Sequence, residues 1–100
     1  MPAAYVIVEM KISDPDRYKE YMAAAPATIA TVGGEYLVRG GKSEKLEGDW
    51  QPARLAVLKF PSYQQAKAWY DGEGYRTVRS KRAGATEFFN MVLVEGVPDS

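Results

Sequence analysis

The sequence predicts an α+β fold in the order β-α-β-β-α-β, a four-stranded antiparallel sheet with its helices on one face. Three observations carry that prediction. The first is the alternation of apolar and polar residues in "AAYVIVEMKI". The second is a pair of capped, helix-spaced segments, one opening at "SDPDRYKEYMAAA" and the other at "SYQQAKAWY". The third is two consecutive strand-like runs, "EYLVRG" and "ARLAVLKF", lying between those helices, with "TEFFNMVLVEG" closing the chain.

In the first strand Ala4, Val6, Val8, Met10 and Ile12 share one face. Tyr5 and Ile7 give way to Glu9 and Lys11 on the other. In the first helix Asp14 is placed to cap, Pro15 occupies the first helical position and Asp16 complements the positive end of the dipole. Tyr18, Tyr21, Met22, Ala25, Ile29 and Val32 form its apolar stripe. Pro26 lies within that stripe and lacks an amide donor, which predicts a kink or a break into two helices. Gly33-Gly34 ends the element.

Ser62 and Gln65 fit a capping box for the second helix, with Ala66, Trp69 and Tyr70 as its buried face. Gly72 and Gly74 break it, and a last short helix aligns Tyr75, Val78 and Arg82 on one side. "VPDS" reads as a tail. The element order is the split-βαβ, or ferredoxin-like, arrangement, in one domain over residues 1–100.

Composition narrows the chemistry. Thirteen basic residues balance thirteen acidic ones, so the basic excess that phosphate contacts demand of a nucleic-acid binder is missing. No apolar run approaches the roughly 18 residues that span a bilayer. "MPAAYVIVEMK" has no basic region before its apolar run, and the expected location is the cytoplasm. The chain has neither cysteine nor histidine. Disulfides, thiol nucleophiles, Cys/His zinc sites, Ser-His-Asp triads and a histidine-ligated haem are thereby excluded. The acidic residues are scattered without calcium-loop spacing, so neither a metal nor an organic cofactor is expected.

The sheet has a second face to hide. Two helices cover one side of four strands, yet Leu37 and Val38, Leu55 through Leu58, and Phe88 through Val94 offer apolar groups to both sides. A contiguous exposed patch of such residues marks an interface. The economical partner is a second copy packed sheet to sheet about a two-fold axis, a homodimer.

"YLVRGG", "LEGDW" with the following "P.RL", "FPS", "AWYD", the tyrosine of "GEGYR" and the final "LVEG" resemble bacterial proteins of domain of unknown function 1330. The resemblance covers essentially the whole chain. It implies the dimeric α/β-barrel fold, in which two ferredoxin-like protomers pair their sheets. The wider superfamily includes cofactor-independent monooxygenases of aromatic polyketides, lactone isomerases and haem enzymes. The haem enzymes typically use a histidine ligand that this chain lacks.

Read from the residues themselves, Arg39 lies two positions after Leu37, on the same strand face, and needs an anionic partner because its charge cannot be neutralised in place. That partner is a ligand's carboxylate or phosphate, or else a glutamate of the chain, unless Arg39 is simply an exposed strand end. Gly40-Gly41 reads as a bend with a positive backbone angle. Trp50 ends a polar excursion and reads as an anchor at the dimer interface. Tyr18, Tyr21 and Trp69 lie where core stripes should be, and a cleft is one place for their polar atoms to find partners. Arg82 shares a side with Tyr75 and Val78 and is the basic residue of its helix set to point inward. Asn90 is polar within an apolar strand and, if buried, requires hydrogen-bond partners.

The candidate ligand-binding set is therefore Arg39, Tyr18, Tyr21, Trp69, Arg82 and Asn90, serving a small anionic or aromatic molecule. One reading is a cofactor-independent enzyme, monooxygenase- or isomerase-like. The other is a non-catalytic dimer that binds a small acidic metabolite or a protein partner.

Overall fold

The computed structural model describes residues 2–98. Met1 and the last two residues of the predicted tail, Asp99 and Ser100, lie outside the described residues. The elements are β1 (Ala4–Ile12), α1 (Pro15–Ala30), β2 (Glu35–Arg39), β3 (Arg54–Phe60), α2 (Tyr63–Asp71), α3 (Glu73–Ser80) and β4 (Thr86–Glu95). The strands form one antiparallel sheet in the spatial order β2-β3-β1-β4, with β1 and β3 at its centre. This is the ferredoxin-like topology.

The alternation of β1 decides where the core sits. Ala4, Val6, Val8 and Met10 are buried, as are Phe60, Leu58 and Ala56 opposite the first three. Each large apolar side chain hidden this way contributes roughly 1.5–3 kcal/mol. From α1 the residues Tyr18, Tyr21, Ala25 and Ile29 complete the inner layer, and Ala66 and Trp69 do so from α2.

The caps form much as the sequence implies. The Asp14 side chain accepts from the Arg17 amide at 3.1 Å, with Pro15 in the first turn. Ser62 Oγ accepts from the Gln65 amide at 3.2 Å, and its hydroxyl lies at the same distance from Gln65 Oε1.

Three expectations are corrected. Of the kink or break expected at Pro26, the break into two helices does not occur, and α1 runs as one helix to Ala30. A proline there leaves the Met22 carbonyl without its helical donor, and Arg39 Nη2 donates to that oxygen at 2.6 Å instead. Gly74 does not break the chain but lies inside α3, and Gly72 alone separates α2 from α3. Tyr70 sits at the margin of the α2 stripe, 37% exposed, where the Arg79 guanidinium covers its ring at 4.4 Å.

The helix-free face is apolar in register. Val38 opposes Val57, Val57 opposes Ile7 and Ile7 opposes Val92, one row across all four strands. Val38, Ile7 and Val92 are exposed, and so are Leu37, Phe88 and Val94.

Candidate functional site

The site begins with a bulge in β2. Strict alternation pairs Arg39 with Leu37 on one face. The structure differs, because Tyr36 opposes Leu58 while Val38 opposes Val57, leaving Leu37 as the inserted residue. An extra residue flips everything after it to the other side of the strand. Arg39, opposite the buried Ala56, therefore shares the helix-covered side with Tyr36. Its guanidinium lies 4.6 Å from the centre of the Tyr36 ring.

Beneath it is a cavity between sheet and helices. Its solvent volume is about 30 Å³, room for roughly one or two waters. Tyr18, Tyr21 and Met22 from α1 line it, with Trp69 from α2, Phe89 and Met91 from β4, and Tyr36, Arg39 and Arg54 toward β2 and β3. Among the described residues, no carboxylate lines it. A second, open cleft of about 380 Å³ lies between α2 and β4, and Trp69 and Met91 border both spaces.

The phenols here are hydrogen-bond donors at neutral pH. Burial pushes the Tyr18, Tyr21 and Tyr36 hydroxyls above the ordinary tyrosine range. For Tyr21 the neighbouring Tyr75 adds to the shift, since the two hydroxyls share a buried hydrogen bond of 2.5 Å. The positive charge of Arg54 and Arg82 acts the other way on Tyr18, and that of Arg39 on Tyr36, without overcoming burial. Trp69 is fixed at its polar end, its indole nitrogen donating to Thr28 Oγ1 at 3.1 Å. Its ring packs 4.2 Å from that of Tyr75, centre to centre.

The structure thus gathers Arg39, Tyr18, Tyr21 and Trp69 around one cavity. Arg82 stands just behind it, its guanidinium 3.6 Å from the centre of the Phe89 ring and 5.4 Å from that of Tyr21. Arg82 is not the sole arginine of the region to turn inward: Arg82 Nε and Arg79 Nη1 are both buried without a hydrogen-bond partner among the described residues. Asn90 stands apart. It opposes Glu9 on the helix-free face and is exposed, because alternation from Phe89 and Met91 turns it outward. Trp50 is also on that side of the sheet, 59% exposed, its indole donating to Glu9 Oε2 at 3.0 Å.

Sequence reasoning missed Arg54 and Tyr36. The signal for Arg54 was present, since it precedes Ala56, Leu58 and Phe60 by even steps and so shares their face. Tyr36 was hidden by the bulge. Gly40 does bend as expected, with φ of 72°, and a Cβ there would lie 2.6 Å from Arg54 Cζ.

Comparison with solved structures supports the topology. A protein of unknown function from Rhodopseudomonas palustris superposes with a TM-score of 0.72 at 15% identity, covering 98% of this chain and 85% of its own. A dimeric ferredoxin-like protein of unknown function from Thermobifida fusca gives 0.63 at 14% identity, covering 95% and 92%. SnoaB, a cofactor-independent oxygenase from Streptomyces nogalater, gives 0.63 at 11% identity, covering 99% and 97%. At these identities the likeness is one of fold. No curated protein matches the chain. The sequence profile of the family described as domain of unknown function DUF1330 matches residues 3–97, and the chain belongs to that family.

Proposed function

We propose that two copies of this chain pair through their helix-free sheet faces, and that the cavity beneath Arg39 in each protomer binds a small acidic molecule with an aromatic or apolar body. Arg39 is the group that recognises the acid. The observation carrying this reading is an arginine on an aromatic-lined cavity with no carboxylate among the described residues that line it. One of its donors is held by the Met22 carbonyl, and others of the five remain for an anion. The apolar row on the open sheet face supports pairing, as do the dimeric proteins of like fold.

A second reading adds cofactor-independent catalysis, oxygenation or isomerisation of such a ligand. The protonated phenols of Tyr18 and Tyr21 favour it, since they can polarise a carbonyl in an apolar space, and SnoaB shares the fold. Oxygen uptake with an electron-rich polycyclic phenol, compared between the parent and Tyr21→Phe, separates the two readings.

Calorimetry with benzoate tests binding. Arg39→Ala should weaken affinity roughly tenfold or more, the loss of a charged hydrogen bond, with the dimer intact by light scattering. Arg39→Lys should recover only part, because an ammonium cannot form the bidentate fork. Benzoate bound equally well without Arg39 overturns the assignment.

A further inference from the structure

We propose that the cavity beneath Arg39 is built for a dianion at its mouth, held between Arg39 and Arg54. This rests on the reading of Arg39 as the acid-recognising residue, and it adds a second cationic contact and a ligand class.

Arg39 opposes Ala56, and Arg54 lies two residues from Ala56 on the same strand. The two arginines are therefore diagonal neighbours on one sheet face, a relationship that sets such residues about 7–8 Å apart, and their Cβ atoms somewhat closer. Both line the same cavity. Like charges that close repel unless an anion lies between them. The described residues provide none, since no arginine among them forms an ion pair with a carboxylate. The acid beside Arg54 in register, Glu9, opposes Leu55 on the other face, where it accepts from Trp50 and Ala53.

Gly40 makes this placement sterically feasible. Its positive φ turns the chain away after Arg39, and the absent side chain leaves the space that the Arg54 guanidinium occupies. Tyr18 and Tyr36, whose neutral hydroxyls can donate, line the same cavity as the arginine pair. The enclosed space of about 30 Å³ takes only the one or two oxygens nearest the guanidiniums, and the rest of the ligand must lie at the mouth. The shared chemistry is two carboxylates on adjacent atoms or one phosphoryl group, each matching paired guanidiniums.

Calorimetry with benzoate, phthalate and phenyl phosphate tests this. One or both dianions should bind roughly tenfold tighter than benzoate, and which of them does identifies the headgroup. Arg54→Gln should weaken the dianions far more than benzoate and so abolish that preference, and Arg54→Lys should retain part of it. Arg39→Gln should weaken all three. Equal binding of the three probes by the parent, or an Arg54→Gln protein that keeps the preference or weakens all three equally, overturns the dianion while leaving the Arg39 reading in place. Failure of every probe to bind overturns both. If Arg54→Gln does not fold by circular dichroism, the parent preference and its partial loss in Arg54→Lys decide the matter.

Discussion

The Arg39 guanidinium donates to the Met22 carbonyl at 2.6 Å, across 17 residues of sequence, and so closes the gap that Pro26 opens in α1. A proline inside a helix ordinarily costs about 3 kcal/mol and bends or ends it. Here a side chain from a neighbouring strand replaces the lost donor, and the helix continues for another turn. The same bond fixes the guanidinium at the cavity.

That arrangement sets up a double-mutant cycle. Arg39→Ala should cost about 1 kcal/mol in the parent, because the Met22 carbonyl then loses its partner. In a Pro26→Ala background the new amide can donate to Met22, so the same substitution should cost close to nothing. Urea unfolding of the four proteins measures the coupling. Equal costs of Arg39→Ala in the two backgrounds would show that the bond does not compensate for the proline.

The Tyr21 and Tyr75 hydroxyls form a second coupled pair, both buried and 2.5 Å apart. Removing either hydroxyl strands the other, at a cost of about 1–3 kcal/mol. Removing both leaves two phenyl rings of nearly unchanged shape. Tyr21→Phe with Tyr75→Phe should therefore be less destabilising than the sum of the single changes, and equilibrium denaturation reads this directly. Strict additivity would mean that the hydroxyls do not interact.

The raised tyrosines also determine how stability depends on pH. An unfolded tyrosine ionises near pH 10, about its ordinary value, whereas Tyr18, Tyr21 and Tyr36 keep their protons to higher pH in the fold. Above about pH 10 the unfolded chain therefore binds fewer protons than the folded one, and stability falls as pH rises. Below that point the contribution is fully present. Each such group adds a slope of up to about 1.4 kcal/mol per pH unit. Urea midpoints measured from pH 8 to 11.5, roughly spanning this titration, should decline more gently in Tyr21→Phe than in the parent. Parallel declines would assign the effect to other groups.

The sheet face offers a test of assembly. Val92 ends the helix-free row on the edge strand β4, opposite Ile7, and the two are 59% and 40% exposed in the protomer. Val92→Glu should leave the protomer's circular dichroism unchanged, since the side chain reaches no part of the inner core. It should convert a dimer into a monomer by light scattering, because a carboxylate would be buried without a partner in an apolar seam. A Val92→Glu protein that remains dimeric would place the interface elsewhere.

The sequence alone determined much of this molecule because much of it is local. The period-two pattern from Ala4 to Met10 named the inner face of β1, and Asp14-Pro15 and Ser62 named where α1 and α2 begin. Side-chain alternation and capping depend on residues a few positions apart, so a single reading of the chain suffices. Tertiary structure decided the rest. The bulge at Leu37 exists only in the pairing of β2 with β3, and it moved Arg39 to the side opposite the one that alternation gave it. The fate of Pro26 likewise depended on an arginine from that strand arriving at the orphaned carbonyl. Backbone propensities act over a few residues, whereas the face a side chain takes after a bulge, and the partner that satisfies a freed acceptor, are settled by contacts between segments distant in sequence.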